Sequence, residues 1–183
     1  AALAQPAYDC LIVARQNVEI RSPVEAMIES VRVKRGDPVN KGQVLVTLEA
    51  GPEQAAFALA QARAQAVGEI KTAEVRVDIS LKKLQRSEEL VKQNFVSVSA
   101  RDEAEAEHKL ATEELRRAKE NQAIAVHEAK RASEVLAMRT IRSPFSGIVV
   151  EVLLKPGEFG AISFKDPILK LAEIDPLYVE VVL

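Results

Sequence analysis

Few side chains in this 183-residue sequence carry a chemistry of their own. There is one cysteine, Cys10; there are two histidines, His108 and His127, and two methionines, Met27 and Met138. A lone cysteine excludes an intrachain disulfide framework and a multi-cysteine zinc site. Cys10 reads as a buried strand cysteine; a lipid-anchored cysteine would follow a small residue, and Asp9 stands there instead. The histidines lie too far apart along the chain to share a ligand, and both methionines read as packing residues. No nucleophile–base constellation, phosphate-cradling glycine loop or paired-carboxylate site stands out. The sequence therefore predicts a protein that is not an enzyme and holds no metal or cofactor. Its net charge of −2, with both signs interspersed, gives no electrostatic case for a nucleic-acid partner. What remains is the chemistry of contact, and the question becomes which elements present the contacting residues.

The first clue is an internal repeat. Residues 20–36, IRSPVEAMIESVRVKRG, are answered by residues 141–157, IRSPFSGIVVEVLLKPG. Ile20-Arg21-Ser22-Pro23 recurs as Ile141-Arg142-Ser143-Pro144, Lys34 and Gly36 recur as Lys155 and Gly157, and Asp37 is answered by Glu158. VLVTLE (44–49) then matches ILKLAE (168–173). Each copy alternates apolar and polar residues in short runs, a strand signal, punctuated by turns. These turns are Arg35-Gly36-Asp37-Pro38 and Asn40-Lys41-Gly42, then Lys155-Pro156-Gly157-Glu158 and Lys165-Asp166-Pro167. Neither half can bury a core alone, whereas two halves related by a pseudo-twofold axis can. One small, flattened β-sandwich is expected from about 8–50 and 140–174.

Residues 52–139 separate the copies. They hold no proline after Pro52 and a single glycine, Gly68, and are rich in strong helix formers. Pro52 and Glu53 suit a first helical turn. In the second half, Ala104, His108, Ala111, Leu115, Ala118, Gln122, Ala125, Ala129, Ala132 and Leu136 step by four and three alternately, a heptad seam. In the first half, Leu59, Ala62, Ala66, Ile70, Ala73, Val77, Leu81 and Leu84 give a similar spacing. The pattern breaks at Lys92–Ser97, and Ser99-Ala100-Arg101-Asp102 fits a capping box for a new helix. The spacing thus predicts an antiparallel coiled-coil hairpin, one helix out and one back, with its tip near 94–98. An arm of about 40 residues would be roughly 60 Å long. Within the seam, Gln122 reads as a register-setting polar residue. His108 is a pH-sensitive contact, a metal ligand or, most simply, a seam histidine with a water or glutamate partner.

A β-domain split by a helical hairpin resembles the membrane fusion proteins, the periplasmic adaptor (HlyD-like) family. VRVKRGDPVNKGQVLVTL (31–48) resembles the first half of its lipoyl-like domain and IRSPFSGIVVEVLLKPGEFG (141–160) the second. The fold class implied is α+β: a split lipoyl-like, or barrel-sandwich hybrid, domain with an inserted coiled-coil hairpin. Residues 175–183, where the chain stops mid-strand, are similar to the segment that opens a following β-barrel domain, which would make this chain a truncated adaptor. At the tip, Arg86, Leu90 and Ser97 stand at the spacing of an arginine, leucine and serine with which such adaptors dock on a TolC-type channel. The resemblance implies an adaptor in the periplasm of a Gram-negative bacterium, associated with the inner membrane. Its implied partners are an inner-membrane transporter of RND or ABC type, the outer-membrane channel, and copies of itself in a ring.

Two rival readings are weaker. A biotin or lipoyl carrier needs a lysine on a tight hairpin, but VTLEA (46–50) runs into Gly51-Pro52-Glu53, and Met27 is followed by Ile28. A coiled-coil scaffold explains the insertion but not the split repeat. Ala2-Leu3-Ala4 is compatible with the end of a signal peptide, and no apolar run reaches the roughly 20 residues that span a bilayer.

Overall fold

The computed structural model describes residues 9–160 and 167–182, with side chains from 12 to 160 and 167 to 179. The Ala2–Ala4 segment, the turn residues Lys165 and Asp166, and the side chain of Cys10 lie outside these. The chain forms two compact units, one running to Gly51 and resuming at Val135, the other Pro52–Glu134.

The first unit is built from β1 (Asp9–Ile20), β2 (Ala26–Val31), β3 (Pro38–Val39), β4 (Val44–Leu48), β5 (Thr140–Arg142), β6 (Gly147–Val152), β7 (Phe159–Gly160) and β8 (Leu169–Val182). They make two four-stranded sheets, ordered β1-β8-β6-β3 and β5-β4-β2-β7. Exchanging the two sequence repeats converts one order into the other. Each sheet is completed by a strand from the opposite repeat: β3 pairs with β6, and β7 pairs with β2.

The turn chemistry explains this exchange. Gly36 and Gly157 adopt φ of 89° and 90°, a region open to glycine at little cost. The Asp37 carboxylate accepts from the Lys34 amide at 2.8 Å, and the Glu158 carboxylate accepts from the Lys155 amide at 2.6 Å, so both loops close alike. Gly36 N–H then donates to Val149 O and Gly157 N–H to Ile28 O, each at 2.8 Å. In return, Val149 N–H donates to Asp37 O at 3.0 Å and Ile28 N–H to Glu158 O at 2.8 Å. Each repeat's turn therefore satisfies the backbone of the other repeat. Ser22 and Ser143, both buried, also act in parallel, their hydroxyls donating to Val24 O and Phe145 O.

The core lies between the sheets. Ile28, Leu45, Leu48, Ile168, Leu169 and Leu171 are fully buried. Each such aliphatic side chain contributes about 1.5–3 kcal/mol. The sequence reading placed a boundary after Ile174. In the structure β8 continues to Val182, paired with β1 from Ile20↔Leu169 to Asp9↔Val182, with an irregularity between Ala14 and Gln16. Beyond Ala172 no other strand among the described residues pairs with it. Ile12, Leu177, Tyr178 and Val179 are exposed on this two-stranded ribbon.

The second unit is helical. Its elements are α1 (Gly51–Gln65), α2 (Gly68–Lys92) and α3 (Val98–Ala137), the last with 40 residues and without a break. Pro52 sits in the first turn of α1, where its missing N–H is harmless. The return seam agrees with the heptad reading: every position from Ala104 to Leu136 in that series is buried or half-buried.

The outgoing arm requires correction. It is two helices, interrupted at Ala66-Val67, and the interruption changes the phase. In α1 the half-buried positions are Glu53, Phe57, Ala60 and Ala64, while the expected seam residues Leu59, Ala62 and Ala66 are exposed. In α2 the buried or half-buried positions are Ile70, Ala73, Val77, Ser80, Leu84, Ser87, Leu90 and Val91, so Ser80 takes the position expected for Leu81. A polar residue in the seam disguised the true register. Arg76–Glu114 and Lys83–Glu107 ion pairs, each 2.5 Å, bridge α2 and α3 and fix their register. Both pairs are solvent-exposed and screened, so they serve register more than stability.

Candidate functional site

The residues singled out by spacing converge on the connection between α2 and α3. Two local motifs shape it. The first ends α2. Asn94 adopts φ of 59°, the left-handed conformation that asparagine tolerates better than other side-chain-bearing residues. Its N–H donates to Val91 O at 3.0 Å, and Phe95 N–H donates to Leu90 O at 2.9 Å. This pair of bonds is a Schellman motif with Asn94 where glycine is usual.

The second motif starts α3. Ser97 Oγ accepts from Ala100 N–H at 3.3 Å, the geometry of an N-cap. The capping box expected at Ser99–Asp102 is therefore two residues late: the helix starts at Val98, and Ser99 is already inside it. Ser97 precedes it at the only place where a side-chain oxygen can reach the third helical amide.

Arg86, Leu90 and Ser97 are placed as follows. Arg86 and Leu90 lie one turn apart on α2, Arg86 exposed and Leu90 half-buried. Among the described residues, Arg86 has no ion pair or side-chain hydrogen bond, although the same hairpin pairs Arg76, Lys82, Lys83, Arg101 and Arg116. Ser97 is exposed, and its oxygen is engaged in the cap while its hydroxyl hydrogen has no acceptor among the described residues.

Sequence reasoning missed two apolar residues here. Phe95 is 73% exposed and Val98 57% exposed, both within or beside the turn. The available signal was an aromatic in a polar stretch, Gln93-Asn94-Phe95, of a sequence with five phenylalanines. Together the tip offers an unpaired guanidinium, a free hydroxyl hydrogen and exposed apolar surface. Such a set suits a protein partner with apolar pockets and backbone or carboxylate acceptors.

His108 belongs elsewhere. Its Nδ1 lies 3.0 Å from Ser80 Oγ across the seam, and Ser80 is buried. The expected water or glutamate partner is therefore a serine. Ser80 Oγ also stands 2.9 Å from Val77 O, which can only accept. With the single hydroxyl hydrogen directed there, His108 Nδ1 carries the proton and donates to Ser80.

Residues 16–173 match the protein family described as CzcB-like, barrel-sandwich hybrid domain. The chain belongs to that family. With it comes membership of the membrane fusion proteins, the adaptor family that the split repeat and hairpin resembled. The chain is 29% identical over 175 residues to the efflux pump periplasmic linker BepD of Brucella suis biovar 1 (strain 1330). That match takes in 94% of this chain and 40% of BepD. Among solved structures it is similar to MacA from Actinobacillus actinomycetemcomitans, with a TM-score of 0.76 at 23% identity, over 94% of this chain and 54% of MacA. It is also similar to the membrane fusion protein Spr0693 from Streptococcus pneumoniae R6, with a TM-score of 0.58 at 18% identity, over 95% and 67% of the two chains. At these identities the structural likeness speaks for the fold. The barrel-sandwich hybrid domain spans the two β-sheet halves, and the helical hairpin interrupts it between β4 and β5. No helix among the described residues is long and apolar enough to cross a membrane.

Proposed function

We propose that this chain is the central part of a periplasmic adaptor in a tripartite efflux or secretion pump. In this reading it links an inner-membrane transporter, of RND or ABC type, to an outer-membrane TolC-type channel. It works by contact and not by catalysis. The hairpin, residues 52–139, supplies reach. The split domain, residues 8–50 and 140–174, supplies the base and associates with copies of itself in a ring. Residues 175–183 open a β-barrel domain. The name of BepD, an efflux pump periplasmic linker, supports the setting.

The observation that carries the docking role is the unpaired Arg86 on a tip that also exposes Phe95 and Val98. A guanidinium without an internal partner gives up no fold-stabilising contact when it donates to another protein. Leu90, one turn further on, provides the adjoining apolar contact, and Ser97 donates its free hydroxyl hydrogen.

The test is in-cell photocrosslinking from position 90 in the full-length protein, with mass spectrometry of the captured partner. Capture of an outer-membrane channel, lost in an Arg86→Asp variant, is the expected result. Capture of sister hairpins alone would move the function to self-assembly. An Arg86→Asp protein that exports normally would remove that residue from the docking set. Because Arg86 is exposed and unpaired, the variant should keep the parent's thermal unfolding midpoint.

A further inference from the structure

The interruption of the outgoing arm is quantised. On α1 the half-buried positions run Glu53, Phe57, Ala60, Ala64, in steps of four, three and four. On α2 the buried or half-buried positions run Ile70, Ala73, Val77, Ser80, Leu84, Ser87 and Leu90, in steps of three and four, with Val91 beside the last. Ala64 to Ile70 spans six positions, whereas a continuous heptad needs seven. The facing helix α3 keeps its alternation of three and four across the same stretch, with no compensating slip. The outgoing arm is therefore one residue short of its partner, and the shortfall lies at Ala66-Val67.

The local structure shows how the mismatch is absorbed. The first helical bond of α2 is Lys71 N–H to Val67 O, 3.0 Å. The amides of Gly68, Glu69 and Ile70 precede it, and no side chain caps them; Val67 itself sits at φ −106°, ψ 6°. Val67, an apolar residue of the type that fills seams, is instead 39% exposed. Two grooves of about 460 and 370 Å³ flank the gap; Ala66, Gly68, Ala73 and Ala118 line them together with longer side chains such as Arg63 and Arg76. Ala66 and Gly68, at the junction itself, contribute little side chain to lock it.

We infer that Ala66-Val67 is a hinge produced by a one-residue deletion in the heptad register. It lets α1 and α2 tilt and shift against one another, while the unbroken α3 keeps both segments together. The inference stands apart from the identity of the docking partner. Heptad discontinuities alter coiled-coil winding locally, and here the cheaper solution is to open one helix. The register makes a sharp forecast. One residue inserted after Val67 would make the series Ala64, Val67 and then Ile70 run at steps of three and four, with Val67 in the seam.

The experiment inserts one alanine between Val67 and Gly68 of the full-length protein and measures amide hydrogen exchange. In the parent, amides of residues 67–70 should exchange at least about 10-fold faster than those of residues 75–85. In the insertion variant they should slow to within about threefold of that central segment. Spin labels at the exposed positions Gln61 and Lys82 should then give a narrower distance distribution than in the parent. A second variant, with the alanine between Asp78 and Ile79, leaves the gap and shifts the seam, and should exchange faster throughout α2. Unchanged or faster exchange at 67–70 in the first variant, or equal behaviour of the two variants, would overturn the hinge.

Discussion

Asn94 is the most demanding point of the tip, and replacing it tests whether the turn organises the residues proposed to dock. The residue sits at φ 59° and its neighbour's amide closes the end of α2 by donating to Leu90 O. A left-handed conformation costs an L-residue about 1–2 kcal/mol, and asparagine is among the side chains that bear it best. Valine, branched at Cβ, bears it badly. Asn94→Val should therefore lower the free energy of opening this turn by about 1–2 kcal/mol, a factor of about 5 to 30. The loss is local, because the Asn94 and Phe95 amides bond only within the last turn of α2. Hydrogen exchange at those two amides should accelerate by that factor while the core amides of β4 and β8 keep their rates. Asn94→Gly should leave exchange within about threefold of the parent, since glycine adopts this conformation freely. If Asn94→Val exchanges like the parent, the left-handed turn is not what closes α2, and the argument for a shaped tip fails. If the turn opens but crosslinking from position 90 persists, docking does not depend on that shape.

Other consequences can be checked independently. A Cβ on Gly147 would press into the Ala172 carbonyl oxygen, which belongs to the paired strand β8. Gly147→Ala should cost about 1–3 kcal/mol and lower the urea midpoint, and an unshifted midpoint would contradict the close approach. Ser80→Ala removes the acceptor of His108 Nδ1–H and should cost about 1–2 kcal/mol, whereas Ser80→Ala with His108→Leu should recover most of it. A double variant as unstable as the single one would mean that the polar pair is not the issue. The Glu105 carboxyl is held below its ordinary value of 4.5 by the hydrogen bond from Lys109 and by the Lys109 and Arg101 charges. Its contribution is thus present above that ordinary value and is lost as pH falls through the lowered one. An NMR titration of Glu105 should place its midpoint below that of an unpaired glutamate, and Lys109→Met should move it upward.

Much of the β-domain was legible because its signals are discrete. The IRSP motifs, the glycines at 36 and 157 and the acidic residues at 37 and 158 recur at one spacing, and each does the same job twice in the structure. The return helix was legible for a similar reason, since alanine and leucine at strict heptad positions leave one face apolar. The outgoing arm was not. Its apolar residues include Val75, Ile79 and Leu81, all exposed, while the buried Ser80 breaks the apolar reading of the seam. Periodicity averages over such a stretch and spreads a one-residue slip over both flanks. The helix cap was misplaced by two residues because Ser97 and Ser99 are equal candidates until backbone geometry chooses. Arg86 and Leu90 were singled out by spacing, but that Arg86 lacks a partner among the described residues depends on where Glu107 and Glu114 point, which no sequence pattern reports. Phe95 was passed over because turns are read for glycine, asparagine and proline, not for aromatics.

The exchanged strands have a consequence for the length of the insertion. Its two ends are neighbours in one sheet: Thr47 pairs with Thr140, and Leu48 N–H donates to Arg139 O at 2.8 Å. For the β-domain, everything between β4 and β5 is a closed loop whose ends already meet. The entropy of closing such a loop rises only with the logarithm of its length, about 0.6 kcal/mol per doubling. Heptads can therefore be added to or removed from both arms together with little effect on the base. A longer or shorter reach could be had by changing the hairpin alone, with the sandwich and its reciprocal turns left as they are.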